Sequence, residues 1–181
     1  MFEAAPNTYS KSNFVPENTR PDLPAGSRAA KGSFAAIKGH PVHPMLVPIP
    51  IGAFLLLVVS DLVFLGTGDA FWARASVTLL IVGILGGLAA ALIGAIDLMS
   101  IRAAQNRVGW LHAGGNSAAL VLAIFNWNMR AADPAAGVLP WGLTLTLVMA
   151  VGLLVTGWAG GHLVYVYRVG IRPAEDTSHS S

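Results

Sequence analysis

The sequence predicts an all-α integral membrane protein, an up-down four-helix bundle preceded by a disordered N-terminal tail. Three observations carry that expectation. The chain of 181 residues is 54% hydrophobic and only 11% charged, against about 25% charged in an ordinary soluble domain. It contains four continuous apolar segments, each with the ~20 residues that cross a ~30 Å hydrocarbon layer as a helix. Short connections separate these segments, and short connections make consecutive helices antiparallel neighbours.

Residues 1–38 stand apart. They are polar, with Pro6, Pro16, Pro21 and Pro24 scattered among Asn, Ser and Ala. No basic end followed by an apolar run marks a secretory signal. The reading is a disordered cytosolic tail, with a short surface helix around Arg28 to Ile37 as a variant. Residues 39–171 form the transmembrane domain, with helices expected at 44–65, 76–99, 110–129 and 141–166, and 172–181 form a second disordered tail. The runs are continuous rather than alternating, which excludes barrel strands.

Basic residues set the expected orientation. Arg28, Lys31, Lys38, Arg102, Arg107, Arg168 and Arg172 fall at one side of the membrane, and only Arg74 and Arg130 at the other. That imbalance predicts an inner-membrane protein with both termini cytoplasmic. Phe71, Trp72, Trp110, Trp127, Trp141, Tyr165 and Tyr167 lie near helix ends, where an interfacial aromatic belt belongs. A small-residue stripe, Gly83, Gly86, Gly87, Ala90, Ala91 and Gly94, marks the second helix, and Gly157, Gly160 and Gly161 the fourth. Such stripes let another helix approach closely, or let a flat ligand lie against the backbone.

The polar residues are placed by depth. His40 and His43 open the first helix, Asp97 ends the second, His112 starts the third and His162 nears the end of the fourth. All five fall toward the cytosolic side, while Asp61 stands alone toward the other. A carboxylate inside an apolar helix is costly and normally has a partner; Arg102, Arg107 or a histidine would serve Asp97. His112 and Asn116, four apart, share a helix face. In His40-Pro41-Val42-His43-Pro44, a residue before proline is pushed toward extended backbone, while Pro44 suits a first helical turn. Pro48 and Pro50 remove amide donors and should kink the helix or free carbonyls near Met45 and Leu46. Broken backbone at membrane depth is tolerated where it is buried or lines a cavity, so this opening suggests a pocket beside the histidines.

The run from Gly39 to Gly52, GHPVHPMLVPIPIG, resembles the signature opening of the domain-of-unknown-function 2231 family of small bacterial multi-pass membrane proteins. Ile96-Asp97, His112-Ala113 with Asn116, and Gly157-Trp158 through Leu163-Val164-Tyr165 fit the same resemblance, which covers about residues 38–171. The pattern departs at His162, where the family usually has glutamate, and at Tyr167, where it often has histidine. The resemblance implies a fold and a membrane location, and no activity.

Three functions follow as expectations. The leading one is a structural or accessory subunit of a membrane complex, partnered by the lipid bilayer and by another membrane protein or a second copy of the chain. The alternative is a redox protein binding haem b or a transition metal, with His43, His112 and His162 as cofactor ligands, or His40, His43, Asp97 and His112 as a metal set. The second alternative is a proton or small-solute pathway, or a histidine-based pH sensor. Cysteine is absent, which excludes thiolate sites and cysteine nucleophiles. The sequence lacks a phosphate loop, a nucleophile elbow and a His-Glu-x-x-His pair, and the weak net charge of +2 gives no case for nucleic acid.

Overall fold

The computed structural model describes Ser33, residues 35–38 and residues 40–171. Of the expected tails at 1–38 and 172–181, residues 1–32, residue 34 and all of 172–181 lie outside the described residues. Among the described residues, four helices are long and apolar enough to cross a membrane: Val42–Thr67, Ala70–Ser100, Arg107–Arg130 and Val138–Tyr165. They alternate in direction along the chain, as two-residue to seven-residue connections require.

The first span consists of α1 (Val42–Leu46) and α2 (Pro48–Thr67). Val47, at the joint, keeps helical dihedrals. The break comes from Pro48 and Pro50, which cannot donate to the preceding turn. α2 ends at Gly68, whose φ of 67° gives the left-handed cap that a side chain would strain. α3 (Ala70–Ser100) begins six residues earlier than the sequence suggests. The Asp69 carboxylate accepts from the Phe71 amide at 2.9 Å and nucleates the helix directly after the turn. What reads as a ten-residue loop is therefore two residues followed by helix.

A 3₁₀ turn at Arg102–Ala104 leads to α4 (Arg107–Arg130). The Asn106 side chain caps this helix, accepting from the amides of Val108 at 2.8 Å and Gly109 at 3.0 Å. A wide turn at Val138–Gly142 then feeds α5 (Leu143–Tyr165). Strand β1 (Ala36–Ile37) pairs antiparallel with β2 (His40–Pro41) beneath the first span. The surface helix considered for residues 28–37 thus gives way to a strand at its described end.

Packing is most extensive between α2 and α3 and between α4 and α5, so the bundle is two hairpins joined along a seam. Phe54, Leu57, Leu80, Ile84, Ala123 and Met149 form the buried centre. Many large apolar side chains face outward, among them Leu85, Leu92, Val121, Val151 and Leu154. That outer surface is what a bilayer covers, and burying such a surface in water would need a partner.

The glycine stripe on α3 is filled. A Cβ at Gly83 would strike the Phe54 ring, one at Gly86 would meet Ile49, and one at Gly87 would strike Leu120. These glycines serve close helix contact, and no flat slot runs along them.

Candidate functional site

Two polar sites occupy opposite ends of the bundle, with the apolar centre between them along every helix. The first is built on His43 and His112. His43 sits in α1, although it precedes a proline. At the first turn, the amide that Pro44 lacks has no helical partner anyway, so helical geometry costs little there. Its Nδ1 donates to the Ala90 carbonyl of α3 at 2.8 Å. His112, in α4, donates its Nδ1 to the Thr156 carbonyl of α5 at 2.8 Å. The two ring centroids lie 6.2 Å apart, with the planes at 88°.

Each ring lies against a glycine of its partner helix. A Cβ at Gly94 would fall 2.7 Å from His43 Cε1, and one at Gly160 would fall 2.9 Å from His112 Cε1. Asn116 backs the second ring: its amide donates to the His112 carbonyl at 2.7 Å, and its oxygen accepts from Thr156 Oγ1 at 3.2 Å. A carbonyl can only accept, so both Nδ1 atoms carry hydrogen and each neutral ring keeps its lone pair on Nε2. Among the described residues neither Nε2 has a hydrogen-bond partner. Among the same residues no side-chain nitrogen is both buried and unpaired, so both Nε2 atoms are reachable.

The other expected members of the layer go elsewhere. His40 is exposed, with Nδ1 3.2 Å from the Lys38 carbonyl. Asp97 is buried and accepts from Ser33 Oγ at 2.6 Å. Its partner is therefore a serine of the segment assigned to the tail, in place of an arginine or a histidine. His162 stacks on Trp158, with centroids 5.2 Å apart, and meets the edge of Tyr167 at 5.5 Å. With Gly161, Tyr165 and Val166 it lines a shallow cavity of about 300 Å³. The expected metal set His40, His43, Asp97 and His112 is not brought together, and the expected cofactor trio keeps only His43 and His112. Among the described residues, no three His, Asp or Glu side chains are grouped to hold a metal ion. Equal depth in the membrane gave no information on which way around each helix a side chain faces.

The second site does not show in the depth pattern of the sequence. Asp61 does not stand alone: Arg130 Nη1 donates to its Oδ1 at 2.5 Å and Nη2 to its Oδ2 at 2.9 Å, with both side chains fully buried. Ser76 Oγ donates to Oδ1 at 2.7 Å and Thr146 Oγ1 to Oδ2 at 2.9 Å. Arg130 Nε donates to Asn126 Oδ1 at 2.8 Å, and the Asn126 amide reaches the Gly142 carbonyl at 3.1 Å. Arg130 reads in the sequence as a loop charge marking topology. The available signal was Asn126, four residues earlier on the same face, together with an Asp61 that had to be neutralised by something.

A family model described as "Predicted membrane protein (DUF2231)" matches residues 39–173. The chain belongs to that family. Among curated proteins and solved structures, neither comparison gives a match. His162 and Tyr167, the two positions at which the resemblance implies a departure, are in ring contact.

Proposed function

We propose that this membrane protein holds one transition-metal centre between its hairpins, ligated by Nε2 of His43 and Nε2 of His112. The observation that carries the reading is the matched anchoring of the two rings. Metal-ligating histidines commonly donate their other ring N–H to a carbonyl or carboxylate, which sets the tautomer and raises the basicity of the ligating nitrogen. Both rings do so here, from opposite hairpins, with Nε2 unengaged. Two imidazoles on opposite sides of one metal have centres about 6.5 Å apart, from a ~2.0–2.1 Å metal–nitrogen bond and a ring radius of ~1.2 Å. The observed 6.2 Å is slightly shorter than that span.

The shared chemistry is a metal with two open positions for imidazole, and it has two sources. Two donors complete the axial positions of haem iron. A bare ion would need water or a further ligand, since protein sites for zinc or iron use three or four side chains. The filled glycine stripe favours the smaller occupant, and the donor count favours haem. Detergent-purified full-length protein, given haem or divalent metals in turn, separates them. A Soret band that His43→Ala and His112→Ala abolish supports haem; stoichiometric metal without that band supports the ion. Neither, in protein that elutes as a folded species, overturns the proposal.

Two expectations join this reading. Described basic residues at the histidine end, Lys38, Arg102, Arg107 and Arg168, face only Arg74 at the other, because Arg130 is consumed in the buried pair. That favours an inner-membrane protein with both termini cytoplasmic. Thiol labelling of single cysteines at 105 and 133 from outside intact cells tests it: position 133 should react and position 105 should not. The accessory-subunit reading has one observation in its favour, since among the described residues every buried side-chain polar atom has a partner and the network suffices as interhelical glue. A partner protein that co-purifies in fixed ratio with metal-free chain would select it.

A further inference from the structure

The two hairpins share one spacing at their histidines, charged side chains and ring-receiving glycines. His43 and Asp61 are eighteen residues apart in the first span, and His112 and Arg130 are eighteen apart in the third. Eighteen residues are five turns of 3.6, so each pair returns to one helix face, about 27 Å apart along the axis. The second helix of each hairpin matches too. Ala90 and Thr156 supply the carbonyls, and Gly94 and Gly160, four residues later, receive the rings. Fourteen residues before those carbonyls stand Ser76 and Gly142, which adjoin the charged side chains. Ser76 donates to Asp61, and a Cβ at Gly142 would lie 2.8 Å from Arg130 Nε.

We infer that the chain is a tandem pair of equivalent hairpins about a pseudo-twofold axis along the bundle, and that Asp61 and Arg130 are positioning residues whose contact on that axis sets His43 opposite His112. Groups on a twofold axis meet their own counterparts. Histidine tolerates its counterpart, because two neutral imidazoles can face one another. A buried charge does not: Asp against Asp, or Arg against Arg, would leave two like charges out of water without compensation. The opposite charges therefore make the halves complementary to each other and incompatible with a second copy of themselves. The bidentate geometry also sets the rise of one hairpin against the other, since a slip of one turn, about 5.4 Å, would carry the imidazoles out of reach of one metal.

The metal-related consequence rests on the proposed function; the geometric claim does not, and the experiment keeps them apart. The chain has no cysteine, so a His43→Cys/His112→Cys variant reports the seam alone when treated with dibromobimane, which fluoresces on bridging two nearby thiols. Bridging is expected in that background, about tenfold less when Asp61→Asn or Arg130→Gln is added, and restored in the Asp61→Arg/Arg130→Asp swap. Should the single variants fail to fold, the swap is compared with the neutral Asp61→Asn/Arg130→Gln pair, and the swap should bridge more. Unchanged bridging in the single variants, or a swap no better than the neutral pair, overturns the inference. In the histidine-bearing protein, the swap should keep the metal signal. Absence of any metal signal from wild type would remove the proposed function while leaving the bridging result to stand alone.

Discussion

Replacing Asp61 with alanine tests the energetic weight of the buried pair. The carboxylate accepts four hydrogen bonds, two from Arg130 and one each from Ser76 and Thr146. Interhelical hydrogen bonds in a bilayer average about 0.6 kcal/mol, so four account for roughly 2–3 kcal/mol. Arg130 then stays fully buried with only Asn126 and Thr146 as acceptors, and breaking a buried pair from one side costs about 3–5 kcal/mol in total. Asp61→Ala should therefore lower stability by about 3–5 kcal/mol, and Arg130→Ala by a similar amount. The double variant removes both charges, so it should lose less than the sum, with a coupling energy of at least ~2 kcal/mol. Reversible unfolding in mixed detergent, followed by tryptophan fluorescence, gives all four corners of the cycle. Single losses under ~1 kcal/mol that simply add would refute the reasoning.

Other outcomes follow from single contacts. Gly94→Leu and Gly160→Leu each push an imidazole off its carbonyl, and each should reduce metal or haem retained on purification by about tenfold or more. His162→Ala should leave that retention unchanged, as its ring packs on Trp158 and Tyr167; equal loss would place it in the site. Ser33→Ala removes the partner of Asp97, and trypsin should then cut after Lys38 faster in micelles, as read by gel. Asn106→Ala deletes the cap of α4 and should cost about 1 kcal/mol; an unfolding midpoint equal to wild type would count against that role.

Much of the bundle was legible because hydrophobic length is a property of consecutive residues. Four apolar runs and three short connections are enough to give four antiparallel helices. Helix ends were less legible where a side-chain cap acts, and the Asp69 carboxylate moved the start of α3 six residues. The histidine site was half legible. Sequence gives depth through residue count along a helix, which brought five polar groups to one end. It does not give rotation about the helix, which sends His43 and His112 to the seam and His162 outward. The Asp61–Arg130 pair escaped notice for a related reason: a charge at a helix end looks the same whether it turns to water or inward.

The apolar layer of Phe54, Leu57, Leu80, Ile84, Ala123 and Met149 has a consequence for charge at the two ends of the bundle. It parts the imidazole pair from the buried Asp61–Arg130 pair, and none of its six side chains is polar. A change of charge held by His43 and His112 would therefore stay on one side of that layer, where it meets little of the membrane potential, worth about 2.3 kcal/mol per charge moved across 100 mV.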